Sequence, residues 1–336
     1  MKAVVVHRAR DLRVDERPVP EPGEGEVRLT MTHGGICGSD LHYYLDGRVG
    51  NFVLREPLVL GHEVVGTVDL DPSGRYARGT PVAIHPAYAD HTCPECEAGH
   101  PNTCRNARYL GSAASDPQTQ GGFAEQTVVR LDQLRPLPDG LDLARAVLAE
   151  PLGVALHAVN QAGDVRGKSV LVSGSGPIGA LVVAAAAARG AREVTATDLQ
   201  DTPLEIARKV GATETIRVDQ HAVPELTYDV AFEASGSPRG LSAAIASVVR
   251  GGTVVQVGSL PSGDLQVALA ALVAREITLR GAFRFTDEID EALHLLATDD
   301  RFQHVVTHTF PMADVVEAMA VAHDSGVSSK VVLELS

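Results

Sequence analysis

Several things are scarce in this chain. It has no tryptophan and only thirteen other aromatic residues (six Tyr plus seven Phe) among 336, which argues against a pocket built for a bulky hydrophobic ligand. Lysine is rarer still: four residues, against 25 arginines (29 − 4), and the arginines are scattered rather than clustered. With a formal charge of −14, the chain repels phosphate backbones, so nucleic acid is not an expected partner. The longest uninterrupted apolar run is Ala180 to Ala188, far short of the roughly 20 residues a bilayer span needs. The amino terminus offers only Ala3 to Val6 before Arg8, so neither an export signal nor a membrane anchor is expected. Cysteine numbers four, and three of them lie within twelve residues, unlike a short, secreted, disulfide-dense scaffold. The expectation is a cytoplasmic metalloprotein.

Enough apolar material is present, at 44% hydrophobic and 21% charged residues, for a large globular core, and the length suits two domains. The first third reads as short strands broken by Gly and Pro, with apolar runs at Ala3 to Val6, Val27 to Met31, Val64 to Val68 and Pro81 to Ile84. Helical periodicity is scarce there, as in a barrel-like β unit with irregular loops. Near residue 150 the texture changes. A short helix from Gly153 to Gln161 leads into a buried strand, Ser169 to Ser173. Helices at Ala180 to Arg189, Pro203 to Val210 and Arg239 to Val249 then alternate with strands at Glu193 to Thr197, Thr215 to Val218, Tyr228 to Phe232, Thr253 to Val257 and Glu276 to Leu279. Such alternation predicts an α/β, doubly wound parallel sheet. Beyond Gly281 come a helix with Ile289, Leu293 and Leu296 on one face, a second helix after Asp314, and a terminal strand, Lys330 to Leu335, expected to return to the β-rich unit.

Between the first strand of the alternating region and its helix stands Gly174-Ser175-Gly176-Pro177-Ile178-Gly179, a G-x-G-x-x-G match. A glycine triplet alone is only a turn; this context gives it weight. Gly174 permits the tight turn, Gly176 lets the backbone approach a pyrophosphate, and Gly179 allows close helix-strand packing, with the helix amino terminus facing the phosphates. Nineteen residues past Gly179 comes Asp198, placed to accept hydrogen bonds from the adenosine ribose. Leu199 to Thr202 contain no arginine for a 2′-phosphate, and Asp201 adds negative charge, so NAD is expected rather than NADP.

Two sets of metal donors are visible. Cys37 lies in GGICGSDLH, and 25 residues later come His62 and Glu63, giving thiolate, imidazole and carboxylate donors that zinc accepts. Cys93 and Cys96 form a C-x-x-C knuckle with Cys104 eight residues on, a strong structural-zinc signal lacking a fourth ligand. Asp90, His91 and His100 are the candidates for that position.

Together these residues resemble the zinc-dependent medium-chain dehydrogenases, in the branch of the sorbitol and L-idonate 5-dehydrogenases. The likeness runs through essentially the whole chain. Its most specific stretches are Gly35 to Tyr44, Val49 to Glu63, Ala149 to Val154, Gly174 to Gly179 and Gly281 to Phe285. The Val49 to Phe52 segment and the run from Glu150 to Gly163 are nearest the idonate enzymes. The resemblance implies a GroES-like catalytic domain at residues 1–150 and 282–336 and a Rossmann domain at 151–281. It implies catalytic zinc on Cys37, His62 and Glu63, with Glu150 binding the metal or its water, a proton relay through Ser39 and His42, and Arg284 reaching the zinc-bound water or substrate. Relatives with a structural zinc carry four cysteines at offsets 0, 3, 6 and 14, and here Asp90 replaces the first; the expected set is Asp90, Cys93, Cys96 and Cys104. The implied reaction passes hydride from a secondary alcohol of a sugar acid to NAD, with a polyol dehydrogenase or a catalytically silent NAD-binding module as alternatives. Arg48, Arg55 and Arg284 are the cations available for a substrate carboxylate. A homo-dimer or homo-tetramer is the expected assembly.

Overall fold

A seven-stranded sheet forms the framework of the first unit in the computed structural model, which describes residues 1–336. Across it run Leu134–Pro136, Pro81–Ile84, Glu63–Leu70, Glu26–Gly35, Lys330–Glu334 and Val306–Pro311, and Gln126–Arg130 also pairs with Glu26–Gly35. Alternation in Glu26–Gly35 turns Val27, Leu29 and Met31 into the core, as a half-buried strand requires. The terminal strand does return: Val332 lies opposite Gly35 and Glu334 opposite His33.

The second sheet has six parallel strands in the order Glu214–Arg217, Glu193–Asp198, Ser169–Ser173, Tyr228–Glu233, Val248–Gln256 and Thr278–Gly281. Numbered along the chain this is 3-2-1-4-5-6, the doubly wound dinucleotide-binding order. Every residue of Ser169–Ser173 is buried, because helices cover both faces of a parallel sheet. The strand order reverses beside this strand, and its carboxyl end delivers the glycine loop to that crevice.

One feature departs from the sequence reading. A helix, Gly38–Asp46, interrupts the region expected to hold strands alone. Its amino terminus is closed by Asp40, whose Oδ2 accepts from the Cys37 amide at 2.9 Å, and its end by Gly47 at φ 69. The helix expected beyond Gly281 is Glu288–Thr298, which packs Ile289, Ala292, Leu293 and Leu296 against the helix Ala149–Ala162, in a 38-residue apolar cluster continuous with the parallel sheet. That cluster reaches the first sheet through Val65, Ala83 and Val332, while the rest of the first unit packs around a separate 26-residue cluster. No helix is long and apolar enough to cross a membrane.

Candidate active site and metal centres

Sheet register assembles the first donor set. Gly35 lies opposite Glu63 on adjacent strands, so Cys37, two residues past Gly35, and His62, one residue before Glu63, meet at the same sheet end. The ligand atoms of Cys37, His62 and Glu63 all lie within 4.8 Å of one another. Gly35 is required: a Cβ there would stand 2.2 Å from Glu63 Oε2. Asp40 ties the two arms together, accepting from Cys37 N at 2.9 Å and from Gly61 N at 3.2 Å.

Beneath Glu63 sits a residue that the sequence reading missed. Lys330, 2% exposed, donates to both Glu63 carboxylate oxygens, at 2.7 and 2.6 Å, and to the Ile36 carbonyl at 3.1 Å. Burial works to lower its pKa, but the charges of Glu63 and Cys37 outweigh burial and raise it. Each carboxylate oxygen has a second lone pair, so Glu63 can face a metal while holding the lysine. Cys37, Glu63 and Glu150 all act on this one buried ammonium. Burial disfavours a charged His62, yet Cys37, Asp40 and Glu150 overcome it and raise the imidazole pKa to about 10. The mixed S, N and O donor set of Cys37, His62 and Glu63 suits zinc.

Glu150 stands beside this trio rather than within it. Its Oε1 accepts from the Tyr109 phenol at 2.6 Å, and burial raises the carboxyl pKa. Tyr109, also absent from the sequence reading, packs its ring 5.4 Å from that of His62 and lies under the Arg284 guanidinium, 4.3 Å from the ring centroid. Arg284 forms no ion pair, whereas Arg55 is spent on the carbonyls of Ala113 and Ser115, and Arg48 lies exposed. The expected relay residues occupy one turn of Gly38–Asp46. Ser39 is half-buried, and His42, exposed, pairs with Asp46 at 3.0 Å; no hydrogen bond joins Ser39 to His42.

The second donor set closes on Asp90, with His91 and His100 outside it. Cys93 Sγ lies 3.4 Å from Cys96 Sγ and 3.6 Å from Cys104 Sγ, and Asp90 Oδ1 is 3.5 Å from both Cys96 and Cys104. A tetrahedron with zinc-sulfur bonds of about 2.3 Å has edges of about 3.8 Å, so these four atoms fit zinc closely. Hydrogen bonds from Asn106 and from the amides of Thr92 and Cys93 hold the Asp90 carboxylate far below its ordinary pKa, in the form that ligates. Burial and the neighbouring sulfurs push the Cys96 thiol up to about 12, so without a cation it keeps its proton.

At the glycine loop, Gly179 allows a close approach that nothing larger permits, since a Cβ would fall 1.9 Å from the Gly174 carbonyl. Gly176 instead faces open space at the start of Pro177–Ala188, where a pyrophosphate fits against the helix amino terminus, whose first turn carries Pro177 and Ile178. Asp198 accepts from Ser175 N at 2.8 Å, and from Leu199 N and Gln200 N at 2.7 and 3.0 Å, which fixes its carboxylate at the crevice. An arginine does stand nearby, on the next strand: Arg217 lies opposite Asp198 but is held by Asp201 at 2.5 Å and Asp219 at 3.1 Å.

A doubly wound dinucleotide-binding unit joined to a β-rich unit that carries a metal-donor cluster defines a metal-assisted dehydrogenase. Residues 23–139 match the alcohol dehydrogenase GroES-like domain, and residues 177–298 match the zinc-binding dehydrogenase family. The chain belongs to the zinc-dependent medium-chain dehydrogenase/reductase family, whose enzymes work with zinc and a nicotinamide dinucleotide. It is 36% identical to an L-idonate 5-dehydrogenase (NAD(P)(+)) of Escherichia coli K12, over 99% of this chain and 98% of that one. It is 34% identical to a sorbitol dehydrogenase of Bacillus subtilis, over 95% of this chain and 92% of that one. The crystal structure of L-idonate 5-dehydrogenase from Escherichia coli K-12 superposes with a TM-score of 0.92, at 35% identity, covering 99% and 97% of the two chains.

Proposed function

We propose that this enzyme oxidises the secondary alcohol of a sugar acid, L-idonate to 5-dehydro-D-gluconate, with NAD as acceptor. The observation that carries the substrate class is Arg284: a half-buried guanidinium without an ion pair, stacked on Tyr109 beside the metal-donor pocket, is a ready partner for a carboxylate. Bound in the pocket, zinc supplies Lewis acidity toward the substrate hydroxyl. In this reading Cys37, His62 and Glu63 would hold the ion, and Glu150, oriented by Tyr109, would bind the ion or its water. Ser39 would pass the hydroxyl proton by way of the cofactor ribose toward His42, which is exposed to solvent. Gly174 to Gly179 receive the NAD pyrophosphate and Asp198 the ribose, while Asp90, Cys93, Cys96 and Cys104 hold a second, structural zinc.

The metal-holding unit is assigned residues 1–150 and 282–336 and the cofactor unit 151–281, with Glu288–Thr298 leaning across onto the latter. Four cysteines free of disulfides suit the reducing cytoplasm. The edge strand Thr278–Gly281, all four residues exposed, suits pairing across a two-fold axis in a homo-dimer or a tetramer of such dimers.

The test is NADH formation with L-idonate and with sorbitol, on equal protein, beside a chelator-treated control. Preference for L-idonate, abolished by chelation, is expected; preference for sorbitol overturns the substrate while leaving the metal chemistry standing. Cys37→Ser and His62→Ala are expected to abolish turnover, lower bound zinc and leave NADH affinity, read by fluorescence titration, largely unchanged.

A further inference from the structure

Arg284 holds a costly backbone conformation. Its φ is 53, in the left-handed region, which costs a non-glycine residue roughly 1 kcal/mol or more unless its surroundings fix it. The segment around it is pinned from several sides. Thr286 N donates to Glu288 Oε2 at 2.7 Å, and the Thr286 carbonyl faces His85 Nε2 at 2.8 Å. On the other side of Arg284, Asn102 Nδ2 donates to the Phe283 carbonyl at 2.9 Å, linking residues 181 positions apart.

Asn102 belongs to the lobe that carries the second donor set. It lies in the 3₁₀ turn Pro101–Thr103, between Cys96 and Cys104, and the Cys104 amide donates to the Pro101 carbonyl. Its amide also lies 3.5 Å from His157 Nε2, whose Nδ1 is 2.8 Å from Glu288 Oε1. The same Glu288 carboxylate thus steadies the far end of the Arg284 segment. Loss of Asn102 leaves Phe283 without this partner and frees the turn that aims the guanidinium over Tyr109.

We propose that Asn102 is a positioning residue for Arg284: by donating to the Phe283 carbonyl it holds the left-handed turn that presents the guanidinium to the substrate carboxylate. This rests on the reading of Arg284 as the carboxylate-binding group. Asn102 touches neither substrate nor metal in this account, so its effect falls on substrate affinity rather than on the chemical step.

The test uses Asn102→Asp in the zinc-loaded full-length enzyme. Aspartate keeps the shape of asparagine but cannot donate, and its charge opposes the carbonyl. Hydrogen-deuterium exchange of a peptide covering residues 282–287 is expected to quicken up to about tenfold, the range spanned by one hydrogen bond, with exchange in the parallel sheet unchanged. The KM for L-idonate is expected to rise by a similar factor of about ten, while kcat, the KM for NAD and the zinc content stay near wild type. Asn102→Ala is expected to shift both readouts the same way, which separates the missing donor from the added charge. Unchanged exchange at 282–287 overturns the proposal whatever happens to KM. Quickened exchange with an unaltered KM for a turned-over sugar acid overturns it too. Quickened exchange in an enzyme whose wild type does not turn over L-idonate overturns the substrate reading and upholds the tether.

Discussion

Lys330 is one of four lysines in the chain and the one most completely withdrawn from water, at 2% exposure against a Glu63 of 1%. A paired buried charge is tolerated, whereas breaking such a pair costs about 3–5 kcal/mol because the survivor is stranded. Lys330→Met is therefore expected to destabilise the chelated protein by about that much in urea titration, and the zinc-loaded protein by less, since the ion then faces the same carboxylate. The double variant Lys330→Met/Glu63→Gln is expected to recover part of the loss; equal losses in chelated and loaded protein would detach Glu63 from the metal. The sequence displayed the Cys93 knuckle because thiols at close spacing are chemically distinctive, and Cys37 with His62 and Glu63, 25 positions on, because thiol, imidazole and carboxylate are the donors zinc accepts. Lys330 and Tyr109 were not legible, because their meaning lies in partners brought to them by the fold. The Ile36 carbonyl that Lys330 meets is 294 positions away, and a lone lysine opening a strand looks like any other.

Among the elements, the alternating strands and helices were legible from residue 169 onward, because strands buried on both faces are written as continuous apolar runs such as Ser169–Ser173. Gly38–Asp46 was not, since its start depends on Asp40 folding back onto the Cys37 amide. The partnership of Glu288–Thr298 with Ala149–Ala162 was equally hidden, and it contains a titratable clasp. Burial works to raise the Glu288 pKa, but hydrogen bonds from His157 and the Thr286 amide outweigh it and hold the carboxyl at about 2, below its ordinary 4.5. A carboxyl depressed in the folded state contributes stability that is complete above pH 4.5 and is lost as pH falls toward 2. Glu288→Gln is expected to lower stability near neutrality by about 1–3 kcal/mol and to flatten the acid limb of the stability profile in that window. Parallel acid limbs for variant and wild type would exclude the clasp.

At the level of the whole molecule, each sheet is built around its own apolar cluster, and the two units touch where Val65, Ala83 and Val332 of the first sheet join the cluster of the second. What lies on the outside is less settled by those clusters. Thr278–Gly281 leaves its outer edge unpaired, with Leu279 40% exposed, and on the neighbouring helix Ala270–Ala274 Val273 is 87% exposed. Open strand edges with apolar neighbours invite a second copy. Val273→Glu combined with Leu279→Lys is expected to convert a dimer to monomers by light scattering, and a tetramer to smaller species. An unchanged mass would place the interface elsewhere.

The strand Lys330–Glu334 seals the first sheet against Glu26–Gly35 and brings with it the ammonium that balances Glu63. During synthesis the early strands emerge long before that one, and the intervening Rossmann unit has time to fold on the ribosome. Until the last strand docks, the nascent site holds its glutamate without a counter-charge and its sheet with an open side. A polypeptide released short of Lys330 would leave the Glu63 carboxylate buried without its counter-ion and Glu26–Gly35 without its neighbour on that side.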